Sequence, residues 1–305
     1  MTQVDLQHTL EALAQRARPG LLGVAVLDLQ SGAEWRVNAD QAYPMMSVFK
    51  APVAAAVLSR IEKGELSLDQ KVTIKRADVV SGSAVPSIGA KFHGEEMTFT
   101  VDQLLTAAVS ESDSTAVDAL IRVVGGPQVV TAFLRAHGID GLRVDLDEAG
   151  VGRVFSALDS AQALPANESL QQAHDRYQRG LQAFLADPRN RSTPDAAVAF
   201  LRKLWLNELL SPTSTQHVLR LMFAQTIPSR LRAGLPSGVR LADKTGTSGS
   251  LDGQTGAYND IGILTWPDGH TVIVAAFLMG SRASAAERDA LFAELGRSVA
   301  IGLHP

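Results

Sequence analysis

The fold is decided by three apolar runs near the end of the chain: VRLADKTGT (239–247), YNDIGILTW (258–266) and TVIVAAFLM (271–279). Each run has the length of a strand, and the turn PDG joins the last two. A similar run, LLGVAVLDL (21–29), lies near the start and is followed by the turn SG and the strand EWRVN (34–38). Strands at both ends of the chain can pair, so the sequence predicts one antiparallel sheet.

Between these strands the apolar residues recur at helical spacing, and several of the helical stretches end at glycine. They include SVFKAPVAAAVLSRIEKG (47–64), TVDQLLTAAVSESDSTAVDALIRVVGG (100–126) and PDAAVAFLRKLWLNELL (194–210). We predict an α/β (α+β) fold, in which an all-helical domain, residues 44–233, is inserted into a discontinuous sheet domain, residues 1–43 and 234–305. Helices at both termini flank the sheet, and the seam between the domains is the expected ligand cleft.

The composition excludes several classes of protein. The 305 residues are 46% hydrophobic and 20% charged with a net charge of -4, which argues against disorder and gives no basic surplus for nucleic acid. The absence of cysteine removes disulfides and thiolate chemistry, and no two histidines have the spacing of a zinc site. No apolar run approaches the ~20 residues of a membrane helix. The N-terminus lacks a basic start followed by an apolar core, so any export signal is absent or has been removed.

The first candidate for chemistry is the pattern Ser47-Val48-Phe49-Lys50, in a helix predicted to begin near Pro44. Residues three apart share a helix face, so the Lys50 amine can lie beside the Ser47 hydroxyl and accept its proton. The helix N-terminus would also stabilise a developing oxyanion. Alone, the pattern is common, and an exposed lysine beside a capping serine explains it equally well.

Two further patterns follow along the chain. Ser112-Asp113-Ser114, at a predicted helical position, could relay a proton to a leaving amine, although a helix cap is the ordinary explanation. Lys244-Thr245-Gly246-Thr247, on a predicted strand, offers a cation and hydroxyls to a carboxylate, and Gly246 lets a ligand approach the backbone. A strand end with a solvated lysine is the alternative.

Together, the patterns SxxK, S-D-S and KTG in this order resemble the class A serine β-lactamase family. The segments YPMMSVFK, LLTAAVSESDS and LPSGVRLADKTGT are also similar to segments of that family. The resemblance covers nearly the whole chain except for the stretch that follows Glu148. It implies a serine hydrolase that needs no metal or organic cofactor.

The resemblance assigns roles to individual residues. Ser47 would be the acylated nucleophile, Lys50 its activating partner and Ser112 the proton shuttle to the β-lactam nitrogen. The acylation base would be either Lys50 or a glutamate acting through water. The residues implied in substrate binding are Ser114, Lys244, Thr245, Gly246 and Thr247. The backbone N–H groups of Ser47 and Thr247 would form the oxyanion hole.

Deacylation in this family requires a glutamate that activates water. Glu148 lies about where the family has this residue, but the family pattern E-x-x-L-N is replaced by Glu148-Ala149-Gly150-Val151-Gly152, which lacks the asparagine. Glu168, with Gln172 as a possible amide partner, is the rival. A third possibility is that the chain has no deacylating carboxylate.

The loop at 149–192 is longer than the family usually has. Apolar residues recur within it at helical spacing and predict an amphipathic helix: Leu170, Ala173, Tyr177, Leu181, Phe184 and Leu185. Core packing is the plain interpretation of this helix. The sharper hypothesis is that it forms one wall of the cleft and restricts bulky substrates.

Two smaller departures concern substrate recognition. Ser114 replaces the asparagine of the family's S-D-N motif and loses the amide's simultaneous donor and acceptor. The segment from Gly249 to Ser281 contains no Lys or Arg, so the second cation that family members often place there is missing. The candidates to replace it are Arg230, Arg232 and Arg240.

These observations predict a class A-like serine β-lactamase that acts on a small-molecule β-lactam. The alternatives are a D-alanyl-D-alanine peptidase or penicillin-binding enzyme that processes cell-wall peptide, and a sensor that stays acylated. We expect a monomer with no nucleic-acid partner and no membrane span. By resemblance, the protein acts in the periplasm or outside the cell.

Overall fold

The computed structural model describes residues 3–80, 87–158 and 167–304. Its strands are β1 (Leu21–Asp28), β2 (Glu34–Val37), β3 (Tyr43–Pro44), β4 (Lys71–Lys75), β5 (Glu96–Thr100), β6 (Arg191–Ser192), β7 (Arg240–Thr247), β8 (Ser250–Leu251), β9 (Gln254–Thr265) and β10 (Thr271–Ser281). Its α-helices are α1 (Gln3–Arg16), α2 (Lys50–Glu62), α3 (Ile88–Lys91), α4 (Val101–Val109), α5 (Ser114–Val124), α6 (Pro127–Ala136), α7 (Glu148–Phe155), α8 (Leu170–Ala186), α9 (Pro194–Trp205), α10 (Pro212–Phe223) and α11 (Ala285–Leu303). Part of the predicted insertion, residues 159–166, lies outside the described residues, as do the chain ends at 1–2 and 305.

Strands from both ends of the chain form one antiparallel sheet, as the sequence predicts. The order is β2-β1-β10-β9-β7, and β8 pairs with β9. β1, from the start of the chain, lies next to β10 over its whole length. In the register of β7 and β9, Lys244 is opposite Ile261 and Gly246 is opposite Asn259.

Successive side chains of a strand point to opposite faces of the sheet, so each face packs against its own set of helices. On one face Val24 and Val26 of β1 pack with α1 and α11, whose buried residues include Leu6, Leu10 and Leu13. On the other face Ile261 and Phe277 join the core of the helical segment. The sheet is therefore covered on both faces, and β7 lies at its edge beside the helices.

The segment predicted to be all-helical is not wholly so. Strands β4 and β5 form a hairpin within it, and the short strands β3 and β6 pair with each other. The run 71–75 alternates side chains about one buried isoleucine, a pattern that helical spacing does not produce. The proposed domain boundaries at residues 43/44 and 233/234 stay a prediction.

The helix predicted in the insertion is present as α8, but its buried face begins later than expected. Leu181 and Phe184 are buried, whereas Leu170 is 92% exposed. Leu170 is the first residue of α8, six residues before Arg176, the first buried residue of the helix, so its predicted burial is wrong.

Membrane-spanning length was also assessed for the helices of the described residues. No single one is long and apolar enough to cross a membrane, and one bent pair, Ser114–Val124 with Pro127–Ala136, satisfies the length and composition criteria together.

Candidate active site

Ser47 lies in a single tight turn between β3 and α2. A 3-10 helix spans Met46–Phe49, and α2 begins at Lys50, so the helix predicted to begin near Pro44 starts six residues later. Met46 adopts a φ of 47°, which is unusual for a residue with a side chain. This turn exposes part of Ser47 at the cleft while Lys50, three residues on, is fully buried.

Two residues of the sheet fix the position of this turn. The buried Asn259 side chain donates hydrogen bonds to the carbonyls of Pro44 (2.8 Å) and Met45 (3.0 Å). A Cβ on Gly246 would lie 2.3 Å from the Met45 oxygen and 3.2 Å from the Ser47 nitrogen. Only a glycine therefore allows β7 to approach the backbone of the nucleophile this closely.

Lys50 connects three parts of the site. Its Nζ atom donates to the Ser112 carbonyl at 2.7 Å and to Ser114 Oγ at 3.3 Å. It also forms an ion pair with Glu148 Oε1 at 2.9 Å. A fully buried ammonium requires such partners, because burial of an unpaired charge is very costly.

Ser112 is not at the predicted helical position. It lies in the loop between α4 and α5 with a φ of 57°, and Asp113 caps α5 by accepting from the Ala116 N–H at 2.7 Å. Lys244 Nζ donates to Ser112 Oγ at 2.9 Å. The loop conformation thus turns the Ser112 carbonyl toward one lysine and its hydroxyl toward the other.

Lys244 is fully buried on β7. Burial lowers the pKa of its amine well below the ordinary value, and the nearby Lys50 charge lowers it further. An anionic group bound at this point would stabilise the ammonium form. The environment of Lys244 is therefore suited to a ligand that carries a carboxylate.

Glu148 is the first residue of α7, and its buried carboxylate lies against the Ser47 turn. Ser47 Oγ donates a hydrogen bond to Glu148 Oε1 at 3.2 Å. The same oxygen is the one paired with Lys50. The structure therefore brings together the predicted residues Ser47, Lys50 and Glu148 around one carboxylate oxygen.

Two buried polar side chains hold the start of α7. Asp118 of α5 accepts hydrogen bonds from the Glu148 N–H at 2.7 Å and from the Ala149 N–H at 2.9 Å. The Asn190 side-chain oxygen accepts from the N–H groups of Asp145 (2.7 Å) and Leu146 (2.9 Å). Burial raises the pKa of Asp118 to about 7, against the opposing effect of the backbone N–H groups.

Sequence reasoning missed Asp118, Asn190 and Asn259. Asp118 interrupts the apolar run AVDALI, and Asn259 lies within the apolar run of β9. A polar residue in an otherwise buried stretch is the signal that could have identified both. Asn190 gives no comparable signal, because it lies in the polar loop PRNRS.

The rival carboxylate, Glu168, is engaged elsewhere. Its two oxygens accept hydrogen bonds from the Arg176 guanidinium at 2.8 to 3.2 Å. The Arg176 partner lowers the pKa of Glu168. The described residues that line the cavity at Ser47 include Glu148 and not Glu168.

The three candidate arginines occupy different surroundings. Arg230 donates to Thr247 Oγ1 and lies over the Tyr258 ring, 4.0 Å from its centroid. Arg232 pairs with Asp243, and Arg240 lies over a phenylalanine. Of these three, Arg230 is the one bonded to the KTG strand edge.

A cleft of about 1150 Å³ adjoins the site at Ser114, Glu148 and Thr247. Its described lining includes Met46, Ser114, Gly152, Phe155 and Thr247, so α7 contributes to the wall and no residue of α8 does. The hypothesis that the inserted helix forms the wall is therefore wrong for the described part of the chain. Within that part, no three His, Cys, Asp or Glu side chains are grouped as a metal site.

Comparison with known proteins adds an independent finding. The model of a family described as "Beta-lactamase enzyme family" matches residues 5–301. The extended-spectrum β-lactamase PER-1 of Pseudomonas aeruginosa is 32% identical over 91% of this chain and 80% of its own length. A solved β-lactamase from Chitinophaga pinensis is 29% identical, with a TM-score of 0.82 over 97% of this chain and 98% of that one.

A second solved structure, an ancestral (GNCA) class A β-lactamase, is 36% identical, with a TM-score of 0.78 over 98% of this chain and 100% of that one. The match thus extends across both the sheet and the helices that carry the site. The chain therefore belongs to the β-lactamase enzyme family, within its class A serine branch.

Proposed function

We propose that this class A β-lactamase hydrolyses the β-lactam amide by forming an ester on Ser47 and releasing it with water. One observation carries the proposal: Glu148 Oε1 lies 3.2 Å from Ser47 Oγ and 2.9 Å from Lys50 Nζ. A carboxylate in contact with both groups can serve as a base at the nucleophile.

Acylation begins with the Ser47 proton. The Glu148 carboxylate can accept that proton directly, and Lys50 can accept it once its own proton is given up, so acylation has two bases available whereas deacylation has Glu148 alone. Ser47 Oγ then bonds to the carbonyl carbon, and the negative charge develops on the carbonyl oxygen between the N–H groups of Ser47 and Thr247.

Ring opening requires a proton on the departing nitrogen. We assign this proton to the Ser112 hydroxyl, which regains one from Lys244 at a distance of 2.9 Å. The C–N bond breaks as the nitrogen is protonated. The proton taken from Ser47 is relayed through Lys50 to Lys244, so that Glu148 is again a carboxylate and Lys244 again an ammonium before the second step.

Deacylation reuses the same carboxylate. Once Ser47 Oγ is part of the ester, it no longer donates to Glu148, and a water molecule can take that hydrogen bond. Glu148 removes a proton from the water as the water oxygen bonds to the ester carbon. The carbon–Oγ bond then breaks, and Ser47 recovers the proton from Glu148.

The substrate carboxylate is assigned to the edge of β7. Lys244, Thr245 and Thr247 supply the cation and hydroxyls, and Arg230 supplies the second cation through its bond to Thr247. Gly246 keeps β7 against the backbone of the Ser47 turn rather than opening the space for a ligand that the sequence suggests, and we assign the substrate's side-chain amide to Ser114. We further propose a monomer that acts in the periplasm or outside the cell.

A penicillin-binding peptidase and a β-lactam sensor share the acylation chemistry but keep the acyl group. The buried Glu148 carboxylate supports turnover over both alternatives, because it is paired at the nucleophile and held by two further buried side chains. The three functions therefore differ in whether the ester on Ser47 is hydrolysed or kept.

A time course with a chromogenic cephalosporin, paired with intact mass before and after mixing, tests the proposal. We expect continued turnover with little lasting adduct, and no adduct in Ser47→Ala. A burst of one equivalent that stops, with the mass raised by one acyl group, would contradict hydrolysis and favour the peptidase or the sensor.

A further inference from the structure

The inserted helix α8 contacts the backbone of α7 directly. A Cβ placed on Gly180 would lie 2.0 Å from the carbonyl oxygen of Phe155 and 2.6 Å from its carbonyl carbon. Phe155 is the last residue of α7. A glycine at position 180 therefore lets the two helices touch at a point where any side chain would push them apart.

A second contact satisfies the C-terminal end of α7. The last carbonyls of a helix lack partners within the helix, and the Arg176 guanidinium donates to the Ser156 carbonyl at 2.6 Å. Glu168 holds the guanidinium through the paired hydrogen bonds described above. Arg176 is itself buried, so this charge-assisted contact lies out of solvent.

Aromatic packing closes the other side of the contact. The rings of Phe155 and Phe184 meet edge to face at 5.5 Å. Phe184 packs on Gly256 of β9, where an added Cβ would lie 2.9 Å from the ring. Phe155 also faces Gly249, just after β7. The end of α7 is thus enclosed between α8 and the sheet edge that carries the KTG residues.

The helix α8 is tied to the rest of the molecule. The buried Arg191 donates to the carbonyls of Leu185 (2.5 Å) and Asp187 (2.7 Å) at the C-terminal end of α8. On its outer side, Gln178 donates to Asp252 at 2.7 Å. A helix fixed at both places can transmit a constraint to the helix it touches.

Since α7 spans only eight residues, roughly 10 Å at 1.5 Å per residue, a shift at Phe155 moves Glu148 at its other end. We propose that Gly180 and Arg176 are positioning residues, which hold the Glu148 carboxylate where it can direct water at the Ser47 ester. This inference rests on the proposed function. It assigns the insertion to the rate of deacylation rather than to the choice of substrate.

The test compares Gly180→Ala with Gln182→Ala, a change at an exposed position of α8 two residues further on. Acylation and deacylation rates are measured by stopped flow with a chromogenic cephalosporin, and the acylated fraction is measured by intact mass. Misplacement by about 1 Å can cost about 10²-fold in rate. We expect Gly180→Ala to slow deacylation by about that factor and acylation far less, and Gln182→Ala to change neither.

A second pair of variants covers the case in which Gly180→Ala does not fold. Arg176→Met removes the bond to the Ser156 carbonyl and is expected to slow deacylation, whereas Arg179→Met, the same change at an exposed arginine of α8, is not. Thermal melting establishes that each variant is folded. Unchanged deacylation in folded Gly180→Ala or Arg176→Met, or an equal loss of both steps, would overturn the inference.

Combining the changes separates positioning from general destabilisation. In a Glu148→Gln background, Gly180→Ala should slow deacylation no further, because it acts through the carboxylate already removed. Additive losses would overturn the inference. If Glu148→Gln alone deacylates at the wild-type rate, the proposed role of Glu148 fails; if it accumulates acyl-enzyme and Gly180→Ala does not, the inference about α8 fails alone.

Discussion

The site has two halves that are built in different ways. The acylating half comprises Ser47, Lys50, Ser112 and Lys244, which lie on short sequence motifs, and Ser112 contacts both lysines directly. The deacylating half is Glu148 at the start of α7, and its position depends on Asp118, Asn190 and α8.

The difference concerns how each half is specified. A motif fixes the spacing of neighbouring residues, so the acylating residues come together once β7 packs beside the starts of α2 and α5. The single carboxylate of the deacylating half carries no comparable motif here, and residues from 30 positions before it to 42 positions after it hold its backbone. The two halves should therefore respond differently to substitution.

The largest effect is expected in the acylating half. Ser112→Ala removes the group assigned to protonate the departing nitrogen, and loss of a general acid costs about 10³-fold. We expect acylation to fall by that factor, with the deacylation of ester already formed little changed, in single-turnover kinetics. Ser110→Ala is the matched control, because its hydroxyl donates to the Leu221 carbonyl, away from the cleft. Equal losses in the two variants would contradict the role of Ser112.

A smaller effect is expected in the deacylating half from Asp118→Asn. The amide can accept from one of the two N–H groups at the start of α7 but presents its NH₂ to the other, and loss of one charge-assisted bond costs about 2 kcal/mol. We expect deacylation to slow by about 30-fold with acylation less affected. Loss confined to acylation would show that Asp118 does not act on the deacylating half.

The same variant has a pH signature in stability. Burial raises the pKa of Asp118 from 3.8 to about 7, so its stabilising contribution is complete below pH 3.8 and is lost as the pH rises through 7. The free energy of unfolding of the wild type relative to Asp118→Asn should fall by up to about 4 kcal/mol between pH 4 and pH 8. Urea unfolding across this range measures it, and a difference that does not vary with pH would contradict the burial of an ionisable group there.

The smallest effect concerns the substrate carboxylate. Arg230→Lys keeps the charge but loses the forked guanidinium that donates both to Thr247 Oγ1 and to the Gly246 and Asn259 carbonyls, which should raise KM about tenfold with kcat nearly unchanged. Arg240→Lys is the control, since Arg240 lies over Phe223 instead. Steady-state kinetics of both variants decide whether Arg230 supplies the second cation; equal KM values would exclude it.

The sequence predicted the architecture well, because the apolar runs at 21–29, 258–266 and 271–279 have the length of buried strands and a short turn joins the last two. It failed at the hairpin of β4 and β5, where an apolar residue is buried at a single position of β4. It also placed Ser112 on a helix, since no spacing rule anticipates a positive φ at a serine.

For the site, the motifs named the residues that the structure brings together, whereas of the supports of Glu148 only Asp118 left a signal, as a polar residue in an apolar run, and that signal does not name its partner. Asp118 and Asn190 act through hydrogen bonds to backbone N–H groups, which leave no side-chain pattern at the other end. The role of α8 depends on one glycine meeting a carbonyl, a contact that only the packed structure reveals.

The central claim is that Glu148 releases the acyl group from Ser47. The most direct measurement is intact mass of wild type and Glu148→Gln, quenched at successive times after mixing with a cephalosporin. We predict that Glu148→Gln accumulates one acyl group per chain and retains it while the wild type returns to its free mass. If Glu148→Gln instead clears the adduct as fast as the wild type, the claim is wrong.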